Sequence, residues 1–112
     1  MTTITDESMR ERLNALKPYT VVLLRTAAGY GEPGADKIIW EHGRRQFSLR
    51  SDGVLSIICP VADDTELAGV NIFNASAEET TRLMEADPAV IAGVLRYELH
   101  PINSFPGDCL PA

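Results

Sequence analysis

The stretch EADPAVIAGV, residues 85–94, decides how the chain is arranged. An amphipathic helical pattern runs into Asp87, and Pro88 stops it because proline cannot continue a helix. The pattern restarts for one short turn and ends at Gly93, before a new apolar segment. The stretch therefore predicts a corner between two helices, with one carboxylate placed at the corner.

The rest of the chain predicts four strands and two further helices. The strand segments are apolar and rich in β-branched residues, whereas the helical segments repeat apolar residues every three or four positions. The helix that runs into the corner starts at Ala77, after a capping box formed by Ser76 and Glu79. The predicted strands are Tyr19–Thr26, Val54–Cys59, Leu67–Asn74 and Leu95–His100, and the further helices are about residues 6–16 and Ala35–Ser51.

Without the first helix and the tail, the elements follow the order strand, helix, strand, strand, helix, strand. This is the order of a ferredoxin-like α+β sandwich, with both helices on one face of an antiparallel sheet. The first strand is apolar on both sides, with Val22 and Leu24 on one side and Val21 and Leu23 on the other. The face without helices therefore needs a cover, and we expect a homodimer packed sheet to sheet.

The length of 112 residues predicts one core domain with two additions. In the N-terminal helix, Met9, Leu13 and Leu16 recur at helical spacing and are expected to pack on the core as one thin stripe. The predicted parts are an N-terminal helix extension at 1–17, a ferredoxin-like domain at 18–102 and a Pro-rich tail at 103–112.

Composition excludes several classes of function. The net charge of -6, with Arg44-Arg45 as the one basic cluster, argues against nucleic-acid binding. The sequence has no apolar run long enough for a membrane span and no signal-peptide pattern at its start. Cys59, expected to be a small buried apolar residue, and Cys109 form neither a disulfide framework nor a metal motif. We expect a cytoplasmic protein that needs no cofactor and no metal.

Two side chains carry the chemistry that the sequence offers. His42 lies on the apolar side of a predicted helix, where a lone histidine is more often a core residue than a catalyst. Its ring nevertheless suits a general acid or base near neutral pH. Asp87 has a simple structural role, because Asp before Pro caps a helix. That role leaves a second carboxylate oxygen, which could accept a hydrogen bond from an imidazole.

Two other patterns have weaker interpretations. Residues 29–34, GYGEPG, match the dinucleotide-binding pattern G-x-G-x-x-G. Glu32 places negative charge where phosphates would lie and Pro33 removes a backbone donor, so we interpret the segment as a turn that could cover a site. Asp63, Asp64 and Glu66 could hold a hard cation, although three acids in one hairpin loop are typical of a solvated loop.

The chain resembles the YciI-like (YCII-related) proteins over about residues 19–102. The resemblance rests on His42 followed eleven positions later by Gly53, on an apolar strand that ends in Pro60, and on residues 86–94, which match A-D-P-x-V-x-A-G-V. It implies a ferredoxin-like domain that dimerises as an α+β barrel, and a His–Asp site at His42 and Asp87. Some related proteins act on lactone rings from aromatic breakdown, as dehalogenases or lyases.

Two functions remain open on the sequence alone. In the first, the chain is a cofactor-independent enzyme in which Asp87 orients His42, and His42 moves a proton on a carbon next to a carbonyl. Arg25 or Arg96 could then bind a substrate carboxylate. In the second, the chain is a non-catalytic dimeric scaffold or small-ligand binder, in which Asp87 only caps and His42 only packs.

Overall fold

One antiparallel sheet of four strands organises the chain, and the computed structural model describes residues 1–112. The strands are β1 (Lys17–Thr26), β2 (Leu55–Pro60), β3 (Leu67–Phe73) and β4 (Leu95–Ser104), and the helices are α1 (Asp6–Asn14), α2 (Ala35–Ser51), α3 (Ala77–Glu85) and α4 (Pro88–Ile91). The strands stand in the order β2-β3-β1-β4, and every neighbouring pair is antiparallel. The predicted order of strands and helices is confirmed. No helix has both the length and the hydropathy that a membrane span requires.

The sheet buries only one of its two faces. On β1, Thr20, Val22 and Leu24 are buried, while Val21 and Leu23 on the opposite side are half-buried. Side chains from α2, α3, α4, the other three strands and the turn before β4 complete the core on the buried side; they are Ala35, Leu55, Phe73, Met84, Ala89, Val94 and Leu95. The opposite face of the sheet has no helix against it in the single chain.

Helix α1 forms as predicted, but it does not pack on the core. Thr5 caps it through a hydrogen bond from the Ser8 N–H, yet none of the residues of α1 is buried. Its apolar side chains Met9 and Leu13 are exposed, as is Leu16 in the connection to β1. The prediction that these side chains pack on the core as one stripe is therefore wrong. Two residues connect the helix to β1, and Met9 and Leu13 line a groove with Phe105 and Asp108 of the C-terminal tail instead of contacting the core.

Strand β4 continues beyond its predicted end. The prediction stopped at His100 because Pro101 follows, whereas the structure pairs the strand with β1 as far as Ser104, opposite Lys17. Strand β4 is an edge strand with a neighbour on only one side, and an edge is where a sheet tolerates proline. The irregular tail thus begins after Ser104, and Lys17, which was predicted to end the N-terminal extension, is the first residue of β1.

Candidate active site

The corner at residues 85–94 forms as predicted, and Asp87 caps its second helix. The Asp87 backbone is extended, Pro88 is the first residue of α4, and Asp87 Oδ1 accepts a hydrogen bond from the Ala89 N–H at 2.9 Å. Gly93 then takes a φ of +69°, which glycine adopts without steric cost, and the chain turns into β4. Capping therefore occupies one carboxylate oxygen of Asp87 and leaves the other available.

The available oxygen, Asp87 Oδ2, meets His42 of helix α2. The distance from Oδ2 to His42 Nδ1 is 2.8 Å. Both side chains are buried: Asp87 is 1% exposed and His42 is 7% exposed. His42 points inward beside Ile38 and Ile39, which pack against the core. The capping role and the pairing role of Asp87 are both present, so the two residues singled out in the sequence do come together.

This hydrogen bond determines which ring nitrogen of His42 is available. An ionised carboxylate can only accept, so Nδ1 carries the proton and donates it to Asp87 Oδ2. The other nitrogen, Nε2, makes no hydrogen bond within the chain and is not among the fully buried polar atoms. In the neutral ring Nε2 therefore keeps a lone pair that can take a proton.

Asp87 is held in its charged form despite its burial. Burial by itself would raise the pKa of Asp87, because a low-dielectric surrounding disfavours charge. The hydrogen bond and charge of His42, the Ala89 N–H and the Arg45 guanidinium together outweigh burial and hold the pKa of the Asp87 carboxyl below its ordinary value. An ionised Asp87 can orient the imidazole and stabilise the imidazolium that forms when His42 takes a proton.

Arg45 is a third member of this cluster, and the sequence did not single it out. It lies three residues after His42 on α2, a spacing that puts both side chains on one side of the helix. Arg45 Nη1 is 3.5 Å from Asp87 Oδ2, and it is buried without a hydrogen bond. Its spacing from His42 was the available signal, but the charge of Arg45 was considered only as part of the Arg44-Arg45 basic cluster.

A cavity of about 270 Å³ lies between α2 and the sheet and reaches His42. Its volume is close to the lower end of the range of small-molecule sites, about 300 Å³. No Lys, Arg, Asp or Glu lines it. Apolar side chains form most of its wall, and the lining residues that can hydrogen-bond through their side chains are Tyr30, His42, Gln46, Cys59 and Asn71. The site therefore suits a small, uncharged molecule with few polar groups.

Three sequence expectations are changed by these positions. Cys59 is half-buried and lines the cavity instead of filling the core, because β2 is an edge strand with no neighbour on its outer side. Arg25 and Arg96 do not line the cavity, and both form ion pairs with Glu66. Arg25 also pairs with Glu98. Neither arginine is available at the cavity for a substrate carboxylate.

The acidic loop after β2 contacts its own neighbours. Asp63 Oδ1 accepts hydrogen bonds from the hydroxyl and the N–H of Thr65, which lower the pKa of Asp63. Glu66 is held by arginines, as described above. Nowhere in the chain do three acidic, histidine or cysteine side chains converge as a metal site would require.

The glycine-rich loop supports the corner instead of cradling a phosphate. The Gly29 N–H donates to the Gly93 carbonyl at 2.8 Å, and the N–H groups of Tyr30 and Glu32 are bonded within the loop. These donors are therefore not free for a phosphate. A Cβ added at Gly29 would lie 2.9 Å from the Gly93 oxygen, so glycine is needed there for the close approach of two backbones.

We expect Gly29→Ala to lower the free energy of unfolding by about 1–3 kcal/mol, the usual cost of overpacking. The new methyl group would push against backbone at Gly93 that cannot move without disturbing the corner. Urea denaturation measures the change. Gly43→Ala is the matched control: its Cβ would meet nothing within 4 Å, and alanine stabilises a helix interior by about 0.5–1 kcal/mol. If both variants change stability alike, the loop does not support the corner.

Comparison with known proteins gives no close relative. The chain matches no protein-family model and no curated protein. Among solved structures it is similar to 5-chloro-2-hydroxyhydroquinone dehydrochlorinase from Burkholderia phenoliruptrix AC1100, solved in complex with 2,5-dihydroxybenzoquinone. The identity is 16%, the TM-score is 0.49, and the match covers 72% of this chain and 90% of that chain. So distant a likeness decides neither the fold nor the activity of this chain.

Proposed function

We propose that the chain is a small cofactor-independent enzyme that moves a proton on a carbon next to a carbonyl group. The observation that carries the proposal is the 2.8 Å hydrogen bond between Asp87 Oδ2 and His42 Nδ1, beside a cavity that His42 lines. An oriented imidazole with one unused nitrogen at a cavity has the geometry of a general base. In this proposal Asp87 is the positioning residue and His42 the catalytic residue.

The chemistry needs only these groups and the substrate. His42 Nε2 takes a proton from the carbon next to the carbonyl, and the electrons of the broken C–H bond move onto the carbonyl oxygen as an enolate. Asp87 stabilises the imidazolium that results. Return of the proton to a different carbon completes an isomerisation, and departure of a leaving group from the neighbouring carbon completes an elimination, as in a lyase or a dehalogenase.

A deuterium-exchange screen tests the proposal. The protein is incubated in D2O with a panel of cyclic ketones, unsaturated lactones and small keto acids, and ¹H NMR follows loss of the proton next to each carbonyl. We expect at least one compound to exchange faster than it does with the same concentration of free imidazole. If no compound does, the pair is structural, and the alternative of a non-catalytic binding module is the better description.

We further propose that the open face of the sheet packs against a second copy of the chain, as in the ferredoxin-like dimeric barrel of the YciI-like proteins. Val21 pairs with Ile72 and Leu23 pairs with Val70, and all four are half-buried on this face. They form a continuous apolar patch across neighbouring strands. Such a patch would be removed from water when two copies of the chain meet.

The chain has two free cysteines, Cys59 and Cys109, and free thiols fit the reducing cytoplasm. We propose the cytoplasm as the location of the protein.

Val21→Thr is expected to weaken this dimer roughly a hundredfold in dissociation constant. The substitution keeps the shape of the side chain but buries a hydroxyl in each copy, at a cost of about 1–3 kcal/mol each when no partner is supplied. Sedimentation velocity across a dilution series measures the change. Ile91→Thr, at an exposed position on α4, is the control and is expected to leave association unchanged. A wild-type chain that is monomeric at all concentrations contradicts the proposed dimer.

A further inference from the structure

Asn71 places an unpaired amide in the middle of the sheet. It lies on β3 between Gly69 and Phe73 on the buried face, and it is 1% exposed. Its Nδ2 group is one of three buried polar atoms in the chain that lack a hydrogen-bond partner. Buried polar groups are hydrogen-bonded in the large majority of cases, so an amide without a partner at the centre of a sheet calls for a physical reason.

The position of Asn71 supplies that reason. Of the three unpaired atoms, Arg45 Nη1 lies near Asp87, and Thr80 Oγ1 belongs to helix α3 away from the cavity. Of these three residues, only Asn71 lines the cavity, and His42 is another residue of the same lining. A leucine would fill nearly the same space without leaving a donor unpaired. Within the chain the carboxamide thus costs stability and gains nothing, which is the pattern expected of a group kept for a ligand.

We propose that the Asn71 amide donates a hydrogen bond to the carbonyl oxygen of the substrate, and that the substrate is an uncharged ring ketone or similar cyclic carbonyl compound. This inference rests on the proposed function and adds the group that binds the reacting oxygen. When His42 removes the proton from the neighbouring carbon, negative charge develops on that oxygen. A donor already in place there stabilises the enolate more than the ketone, which is the condition for faster reaction.

The lining of the cavity sets the class of substrate. Because no charged side chain lines it, a carboxylate or phosphate would enter without a counter-ion. Apolar walls such as Leu24, Ile39 and Leu95 suit the hydrocarbon part of a ring, and the small volume suits a single ring. The Asn71 amide and the His42 base together fit one carbonyl and the carbon beside it.

Cyclohexanone and methylenecyclohexane form the matched pair of probes, since the second has CH2 in place of the carbonyl oxygen. Binding to wild type, Asn71→Leu and the exposed control Asn103→Leu is measured by NMR titration of the protein amides. We expect Asn71→Leu to raise the dissociation constant of cyclohexanone about five- to tenfold, the contribution of one hydrogen bond. Methylenecyclohexane should bind Asn71→Leu as well as wild type, and Asn103→Leu should match wild type with both probes.

Thermal unfolding separates a ligand-binding role from a structural one. Since Asn71 Nδ2 has no partner to lose, Asn71→Leu is expected to keep or raise the melting temperature. A lower melting temperature, an unchanged cyclohexanone constant, or absence of cyclohexanone binding to wild type overturns the inference. Asn71→Ala is the second variant for the cyclohexanone titration alone, so that the binding result does not depend on how well leucine packs.

Deuterium exchange on the same probe keeps this inference distinct from the proposed function. Cyclohexanone that binds through Asn71 but never exchanges its protons contradicts the proton transfer and leaves the binding role of Asn71 standing. If deuterium exchange of cyclohexanone depends on His42 but is equally fast in wild type and in Asn71→Leu, the proton transfer is supported and the proposed role of Asn71 is overturned.

Discussion

Asp87→Ala is expected to lower the free energy of unfolding by about 3–5 kcal/mol, as breaking a buried ion pair does. The substitution leaves His42 buried without its only hydrogen-bond partner and removes the carboxylate nearest to Arg45 Nη1. It also removes the cap of α4, since Oδ1 no longer accepts from the Ala89 N–H. Urea denaturation at neutral pH, with linear extrapolation to water, measures the loss.

Two further variants separate the contributions of Asp87. Asp87→Asn keeps an oxygen for the cap but loses the charge, so we expect a smaller cost of about 1.5–3 kcal/mol. Asp64→Ala removes an exposed aspartate and is expected to change stability by no more than about 0.5 kcal/mol. A cost near 1 kcal/mol for Asp87→Ala, typical of a cap alone, would mean that the pair contributes nothing to the fold.

Acid should remove the advantage of wild type over Asp87→Asn. The folded pKa of Asp87 lies below its ordinary value, because the contacts from His42, Ala89 and Arg45 outweigh burial. The stability that this shift contributes is fully present above the unfolded pKa of about 3.9, and it is lost as the pH falls through the lower folded pKa. The difference in unfolding free energy between the two proteins should therefore stay constant near neutral pH and shrink below about pH 4.

His42→Gln is expected to lower the rate of proton exchange by about 10²- to 10⁴-fold, the usual contribution of a general base. Glutamine can still hydrogen-bond to Asp87, so the fold should survive, but an amide cannot take the proton from carbon. The measurement is the exchange rate at saturation for the most reactive compound of the D2O panel, with the dimer verified by sedimentation.

His100 provides the matched histidine for this test. It is exposed on β4 and contacts Glu98 through Nε2, away from the cavity. We expect His100→Gln to exchange protons at the wild-type rate. If His42→Gln keeps most of the activity, another group is the base and the assignment of His42 is wrong.

The features that the sequence predicted are those set by local chemistry. Proline is favoured in the first turn of a helix, glycine is favoured just after the end of one, and an aspartate before proline commonly caps the helix that follows. These preferences at Asp87, Pro88 and Gly93 predicted that Asp87 lies at a corner before any contact was known. The periodicity of α2 placed His42 on the inner side. Their meeting could not be derived from spacing alone, because it depends on how α4 packs against α2.

The sequence missed features that depend on where each segment lies in the folded chain. Pro101 stands inside a strand because β4 is an edge, and edge positions are known only once the strand order is known. Asn71 was not singled out because it lies within an apolar strand segment. A lone amide on the buried side of a strand was nevertheless a signal of a functional residue. Helix α1 was expected to pack because its stripe is apolar, but none of its residues is buried in the single chain.

The most direct test of the account is the ¹⁵N NMR spectrum of the His42 ring in wild type and in Asp87→Asn, recorded where the ring is uncharged. We expect wild type to carry the proton on Nδ1, bonded to Asp87, with Nε2 unprotonated. In Asp87→Asn the cap should hold the amide oxygen at Ala89, so the amide nitrogen donates to Nδ1 and the ring proton moves to Nε2. The same tautomer in both proteins would contradict the account, because Asp87 would then not set the state of His42.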